Sequence, residues 1–126
     1  AYMSPELAKA DKSKIGPATD VYGLGATLYR ALTGSLLFDS GGMAGLLIKI
    51  VTQEPRAPRE LAPEVPEALE KIVLRCLAKD PEQRYPGPAQ LADALRAFLE
   101  GGDPEGGGAS ESKRGFFGRL FGGKQD

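Results

Sequence analysis

The sequence predicts an all-α fold. Apolar residues recur at the three-and-four spacing of a helix in four stretches, and no stretch of any length alternates with the period of two that marks a strand. The prolines fall at the ends of those stretches or between them, where a helix starts or stops. At 126 residues the chain fits one small domain with a core of its own.

Residues 4–10, SPELAKA, read as a short helix with Ser4 as N-cap, Pro5 in the first turn and Glu6 near the positive end of the dipole. The polar run 11–20 carries Gly16 and Pro17 and reads as a loop. The central element is a helix over 20–34, DVYGLGATLYRALTG. Val21, Leu24, Leu28 and Leu32 form its stripe, and Tyr22, Ala26 and Tyr29 form a second apolar flank. Thr19 or Asp20 is the expected N-cap and Gly34 the left-handed C-cap. Leu36, Leu37 and Phe38 follow in a loop that should fold back on the core.

A helix over 42–53 is marked by Met43, Leu46, Leu47, Ile50 and Val51 and ends before Pro55. Residues 54–66 carry four prolines and read as an extended connector. A helix over 66–78 shows Leu69, Ile72, Val73, Cys76 and Leu77 on one face. Asp80 and Pro81 open one tight turn, and a last helix runs over 88–99 with Leu91, Ala94, Leu95, Phe98 and Leu99. From Glu100 the composition turns to glycine and acid, which reads as a flexible linker. The organisation is therefore a domain over 1–100 and a linker and tail over 101–126.

Composition removes several function classes. A formal charge of -1 gives no basic excess to neutralise phosphates, so nucleic acid is not an expected partner. The chain has no His and one Cys, at 76, so it offers neither a His-based triad nor a zinc site nor an intrachain disulfide. Cys76 sits on an apolar helical face and reads as a small core residue. No apolar run approaches the roughly 20 residues needed to span a bilayer, and no signal segment is evident, so a cytoplasmic location is expected.

Three local patterns carry chemistry. They are Tyr2-Met3-Ser4-Pro5-Glu6, then Asp20 with Leu24 and Gly25, then Cys76-Leu77-Ala78-Lys79-Asp80-Pro81 with Arg84. In this order and at these separations the chain resembles the eukaryotic-like (bacterial Hanks-type) serine/threonine protein kinases, over the C-terminal part of the large lobe only. Glu6 matches the glutamate of the family's A-P-E signature, with Ser4 replacing its alanine. The resemblance implies a buried ion pair between Glu6 and Arg84, since a planar guanidinium suits two-pronged pairing with a carboxylate. It implies that Asp20 accepts hydrogen bonds from the catalytic loop, and that Ala1, Tyr2 and Met3 end the substrate-binding segment. The helix over 42–53 matches an outward-projecting helix used for docking; two readings stay open for Met43 and Leu47, partial exposure there or packing inward on the core.

The sequence departs from the family at two places. Thr27 and Ala31 stand where bulky apolar groups usually support the adenine side of the core. Arg30 stands where kinases favouring basic substrates often carry Glu, which implies no preference for Arg two residues before the phosphorylated hydroxyl.

A complete kinase uses ATP and Mg²⁺, held by a glycine-rich loop, a lysine, an asparagine and aspartates. In the family these all precede the position of Tyr2. The chain opens at Ala1, directly inside a motif, and is expected to be part of a longer protein whose N-terminal half is its partner, alongside protein substrates. By itself it is expected to bind no cofactor or metal and to act as scaffold. The other reading is a non-catalytic helical interaction module derived from a kinase lobe; a decayed gene fragment without function stays open as well. In the tail, Phe116, Phe117, Leu120 and Phe121 lie among Lys113, Arg114, Arg119 and Lys124. Two readings stay open there: an amphipathic segment meeting a membrane surface or partner groove, or an unstructured stretch, since Gly115, Gly118, Gly122 and Gly123 disfavour a helix. Co-sedimentation with anionic vesicles, compared with a chain ending at Glu100, separates them.

Overall fold

The computed structural model describes residues 3–38 and 42–101. Helices α1 (Pro5–Ala8), α2 (Pro17–Thr33), α3 (Met43–Thr52), α4 (Pro58–Leu61), α5 (Glu67–Cys76) and α6 (Pro88–Leu99) follow in order, with 3-10 turns at Lys12–Lys14 and Pro81–Gln83. No strand occurs among the described residues. None of their helices is long and apolar enough to cross a membrane. Ala1, Tyr2 and the whole aromatic tail lie outside the described residues.

Helix α2 starts three residues before the expected Asp20. Pro17 takes the first helical position, where its fixed φ suits the helix and its missing N–H costs nothing. Gly16 is the N-cap, and its amide donates to Thr19 Oγ1 at 3.0 Å. Thr19 thus satisfies the helix start from inside the first turn instead of capping it. The other end is as the sequence predicts: Gly34 has φ 74°, and its amide donates to the Arg30 carbonyl.

The inward face of α2 differs from the expected stripe. Val21, Tyr22, Ala26 and Tyr29 are buried, whereas Leu24 is 45% exposed and Leu28 and Leu32 are only partly buried. The cause is a close approach at Gly25, where an added methyl group would collide with the Cβ of Cys76 on α5. Contact at that point turns Tyr22, Ala26 and Tyr29 inward. Periodicity alone cannot choose between two adjacent apolar faces one residue apart.

The packed pair α2 and α5 forms a wall between two cores. On one side Val21, Leu69, Ile72 and Cys76 meet Ala62, Val65, Tyr85 and the α6 residues Leu91, Ala94 and Phe98. On the other, Tyr22, Ala26, Tyr29, Val73 and Leu77 meet Leu37, Phe38 and Ile50. Leu37 and Phe38 fold back as expected, but Leu36 remains exposed, as does Leu99. The proline-rich connector is not extended throughout. Pro58 starts α4, and the Arg59 amide donates to Glu70 Oε2 of α5 at 2.9 Å, which gives this short helix an N-terminal acceptor.

Helix α1 ends in a Schellman motif: the Asp11 amide donates to the Glu6 carbonyl at 2.9 Å and the Ala10 amide to that of Leu7 at 3.0 Å. Ala10 takes the left-handed position, φ 55°, that glycine usually fills. Ala10→Gly is therefore expected to stabilise the chain by roughly 0.5–1 kcal/mol, the steric relief exceeding the entropy cost. Gly25→Ala is expected to destabilise it by about 1–3 kcal/mol. Urea unfolding followed by circular dichroism measures both; a neutral Gly25→Ala contradicts the close α2–α5 contact.

Candidate functional site

The site is built around Arg84, just after the second 3-10 turn. Asp80 caps that turn by accepting the Glu82 amide at 3.0 Å. The turn directs the guanidinium of Arg84 back into the protein, where it is 2% exposed. Glu6, brought from the other end of the domain by α1, is 1% exposed. Arg84 Nη1 donates to Glu6 Oε2 at 2.7 Å and Nη2 to Oε1 at 2.8 Å.

A guanidinium has five N–H donors. The other three go to backbone carbonyls: Nε to Ala78 at 2.8 Å, Nη1 to Ala18 at 3.0 Å and Nη2 to Lys79 at 3.3 Å. Thr19 Oγ1 donates to Glu6 Oε2 at 2.8 Å, and the Tyr22 ring centroid lies 5.0 Å from the guanidinium carbon. One side chain therefore joins α1, the start of α2 and the turn after α5. Burial alone would raise the Glu6 carboxyl, but hydrogen bonds from Arg84 and Thr19 outweigh it and hold the group below its ordinary value of 4.5.

Two neighbouring groups titrate far from their usual range. Burial pushes the Tyr22 hydroxyl up to about 12, and it is the one buried side-chain polar atom without a hydrogen-bond partner among the described residues. Burial also pushes the Cys76 thiol up to about 12, which keeps it neutral and consistent with a core residue.

The structure brings Glu6 and Arg84 together and places the other candidate residues apart from them. Asp20 lies exposed in the first turn of α2. Leu24, Thr27 and Ala31 are exposed as well, at the four-three-four spacing that puts them with Asp20 on one face. The Thr27 hydroxyl donates to the Gly23 carbonyl of its own helix at 3.0 Å. Arg30 is exposed near the end of α2, and Met3 is exposed just before α1. On α3, Met43 is exposed and Leu47 partly buried. Sequence reasoning missed Lys79, whose Nζ donates to the Ile50 carbonyl at 2.7 Å. It also missed Thr19 as a partner of Glu6. No local pattern marks either contact, because both partners come from distant segments.

Arg84→Ala strands a buried carboxylate and is expected to cost about 3–5 kcal/mol. The lowered Glu6 group adds stability that is fully present above its unfolded-state value of 4.5 and is lost as pH falls through the lower folded-state value. Glu6→Gln should flatten that acid limb. Thermal melts of the three chains from pH 7 to pH 2 test both statements; an unchanged melting temperature for Arg84→Ala contradicts the clamp.

Comparison with known proteins places this geometry. The protein kinase domain model matches residues 1–95. The tyrosine-protein kinase MasK of Myxococcus xanthus is 40% identical over 98 residues, 78% of this chain and 15% of that protein. The serine/threonine-protein kinase pkn3 of Myxococcus xanthus is 38% identical over 106 residues, 82% and 18% of the two chains. The serine/threonine-protein kinase PrkC of Bacillus subtilis is 34% identical over 98 residues, 77% and 15%. The chain thus spans less than a fifth of the length of these relatives. With Glu6 of a Ser-Pro-Glu segment clamped by Arg84 beneath a central helix, the chain belongs to the protein kinase domain family, among the eukaryotic-like serine/threonine kinases of bacteria, and its helices are those of the C-terminal part of the large lobe.

Proposed function

We propose that this chain is the scaffold part of a serine/threonine protein kinase, whose complete protein transfers the γ-phosphoryl group of ATP to protein hydroxyls with Mg²⁺. The observation that carries this reading is the buried Glu6–Arg84 pair inside the family-matched region. Phosphoryl transfer depends almost wholly on positioning and charge stabilisation, so rigid support is a catalytic requirement in itself. The clamp ties α1 to the start of α2 through the Ala18 carbonyl and Thr19, and in this reading the substrate-binding segment ends just ahead of α1, at Ala1, Tyr2 and Met3. Asp20, exposed on the same helix start, is the acceptor offered to the backbone of a catalytic loop. Leu24, Thr27 and Ala31 continue that face and suit cover by the N-terminal half of a kinase domain, the first partner in this reading.

No group of three carboxylate or thiol side chains gathers among the described residues. In this reading ATP and Mg²⁺ belong to the complete kinase, and no step of phosphoryl transfer is assigned to this chain. Arg30 is the selectivity residue in this reading, opposing basic side chains near the phosphorylated hydroxyl of protein substrates. Helix α3 offers Met43, Leu47 and the exposed Ile48 for docking. That apolar face also favours a second reading, an interaction module that works through α3 without catalysis.

Three measurements test these readings. The 126-residue chain is expected to show no saturable binding of a fluorescent ATP analogue with Mg²⁺ and no phosphate transfer to casein; either activity in the chain alone overturns the scaffold role. In a complete kinase carrying this segment, Asp20→Asn is expected to lower kcat roughly ten- to a hundredfold while KM for ATP moves little. Unchanged turnover removes the anchoring role and leaves the interaction module. A peptide library read by the same kinase should show no enrichment of Arg two residues before the acceptor hydroxyl, and strong enrichment there contradicts the role of Arg30.

A further inference from the structure

Helix α3 lies against α1 and sets the partly buried Leu46 on the second core, but most of its length faces outward. Of its ten residues only Ile50 is buried, while Met43 is 65% and Ile48 63% exposed. An isolated helix of this length is unstable in water, so tertiary contacts must hold it. Ile50 and the partly buried Leu46, together with the contact to α1, make the first anchor.

A second anchor comes from the turn after α5. Lys79 Nζ donates to the Ile50 carbonyl at 2.7 Å, and its ammonium lies 4.9 Å from the centroid of the Phe38 ring. The Ile50 carbonyl is in the last turn of α3, where carbonyls lack intrahelical partners and the negative end of the dipole favours a cation. Lys79 is half-buried, and burial draws its ammonium below the ordinary value against the attraction of Glu54. The main chain of the same residue belongs to the clamp: its carbonyl accepts Arg84 Nη2 at 3.3 Å, and that of Ala78 accepts Nε at 2.8 Å. The two ends of Lys79 therefore hold two different structures.

We propose that Lys79 is a positioning residue that, beside the direct contact of α1 with α3, ties the C-terminal turn of α3 to the Glu6–Arg84 clamp, so that the exposed face of α3 and helix α1 keep a set relation. The side chain grips the C-terminal turn of α3 while Arg84 grips the backbone beneath it. Removing the ammonium leaves α3 held by Ile50, Leu46 and its contact with α1, and loosens its C-terminal turn locally, while the clamp and the α2–α5 wall persist. The consequence for docking rests on the reading of α3 given above; the tie itself does not, and its test needs no activity.

Amide hydrogen exchange by mass spectrometry on the 126-residue chain tests it. In Lys79→Met and Lys79→Gln, peptides covering Leu46 to Gln53 are expected to exchange at least about tenfold faster, as the loss of a hydrogen bond to a charged group predicts. Peptides covering α5 should be unchanged, and Lys79→Arg, which keeps a cation, should restore most of the protection in α3. Unchanged exchange over α3 in both neutral variants overturns the proposal. Equal acceleration in α3 and α5, or loss of helical circular dichroism in both variants, also overturns it, because Lys79 is then a global rather than a local tie. Failure of Lys79→Arg to restore protection overturns the role of its charge.

Discussion

A buried guanidinium must use all its donors, and in this chain that requirement organises everything else. Arg84 divides its five N–H groups between one carboxylate and three carbonyls. The carboxylate comes from α1, and the carbonyls come from Ala18 at the start of α2 and from Ala78 and Lys79 after α5. Each partner must be within hydrogen-bond reach at once, so the pair acts as a geometric constraint on three segments. Desolvating two charges is expensive, and such a pair adds little net stability over apolar packing of the same shape. Its value in this fold is positional: it sets where α1 stands relative to the start of α2 and the turn after α5.

The second constraint is steric. Close contact at Gly25 sets the rotation of α2 against α5, which sends Tyr22, Ala26 and Tyr29 into one core and Val21 into the other. The same rotation leaves Asp20, Leu24, Thr27 and Ala31 on the outside. Core packing and the outward face are thus two results of one contact. The α3 side of the domain is more thinly packed: Ile50 is its one buried side chain, Leu46 and the contact with α1 add to it, and a lysine hydrogen bond holds its last turn.

Much of this was legible in the residues. The helical class, the Gly34 cap, the Asp80 cap and the inward face of α5 all follow from short-range rules, because capping and periodicity involve neighbours a few residues apart. The Glu6–Arg84 contact, 78 positions apart in sequence, was reached only through the family resemblance; no local rule links the two residues. Pro17 reads as loop from the sequence because a proline before a helix and a proline opening one look alike until the preceding glycine is seen to cap. α4 was hidden for a similar reason, since its four residues are too few to show a period and its N-terminal acceptor, Glu70, lies eleven residues away.

By itself the sequence determined which of the longer segments are helical, where most of them stop, and which side chains have the chemistry to form a buried ion pair. Those properties reside in local dihedral preference, in hydrogen bonding across one turn, and in residue type. Only the tertiary structure decided which of two apolar faces of α2 is buried, that Leu24 faces outward, and that Lys79 reaches Ile50. The physical reason is that a helix with apolar residues on adjacent faces has no intrinsic inward side. Its rotation is set by the closest approach available to a neighbouring helix, and here that approach is a glycine meeting a cysteine from a segment some fifty residues later.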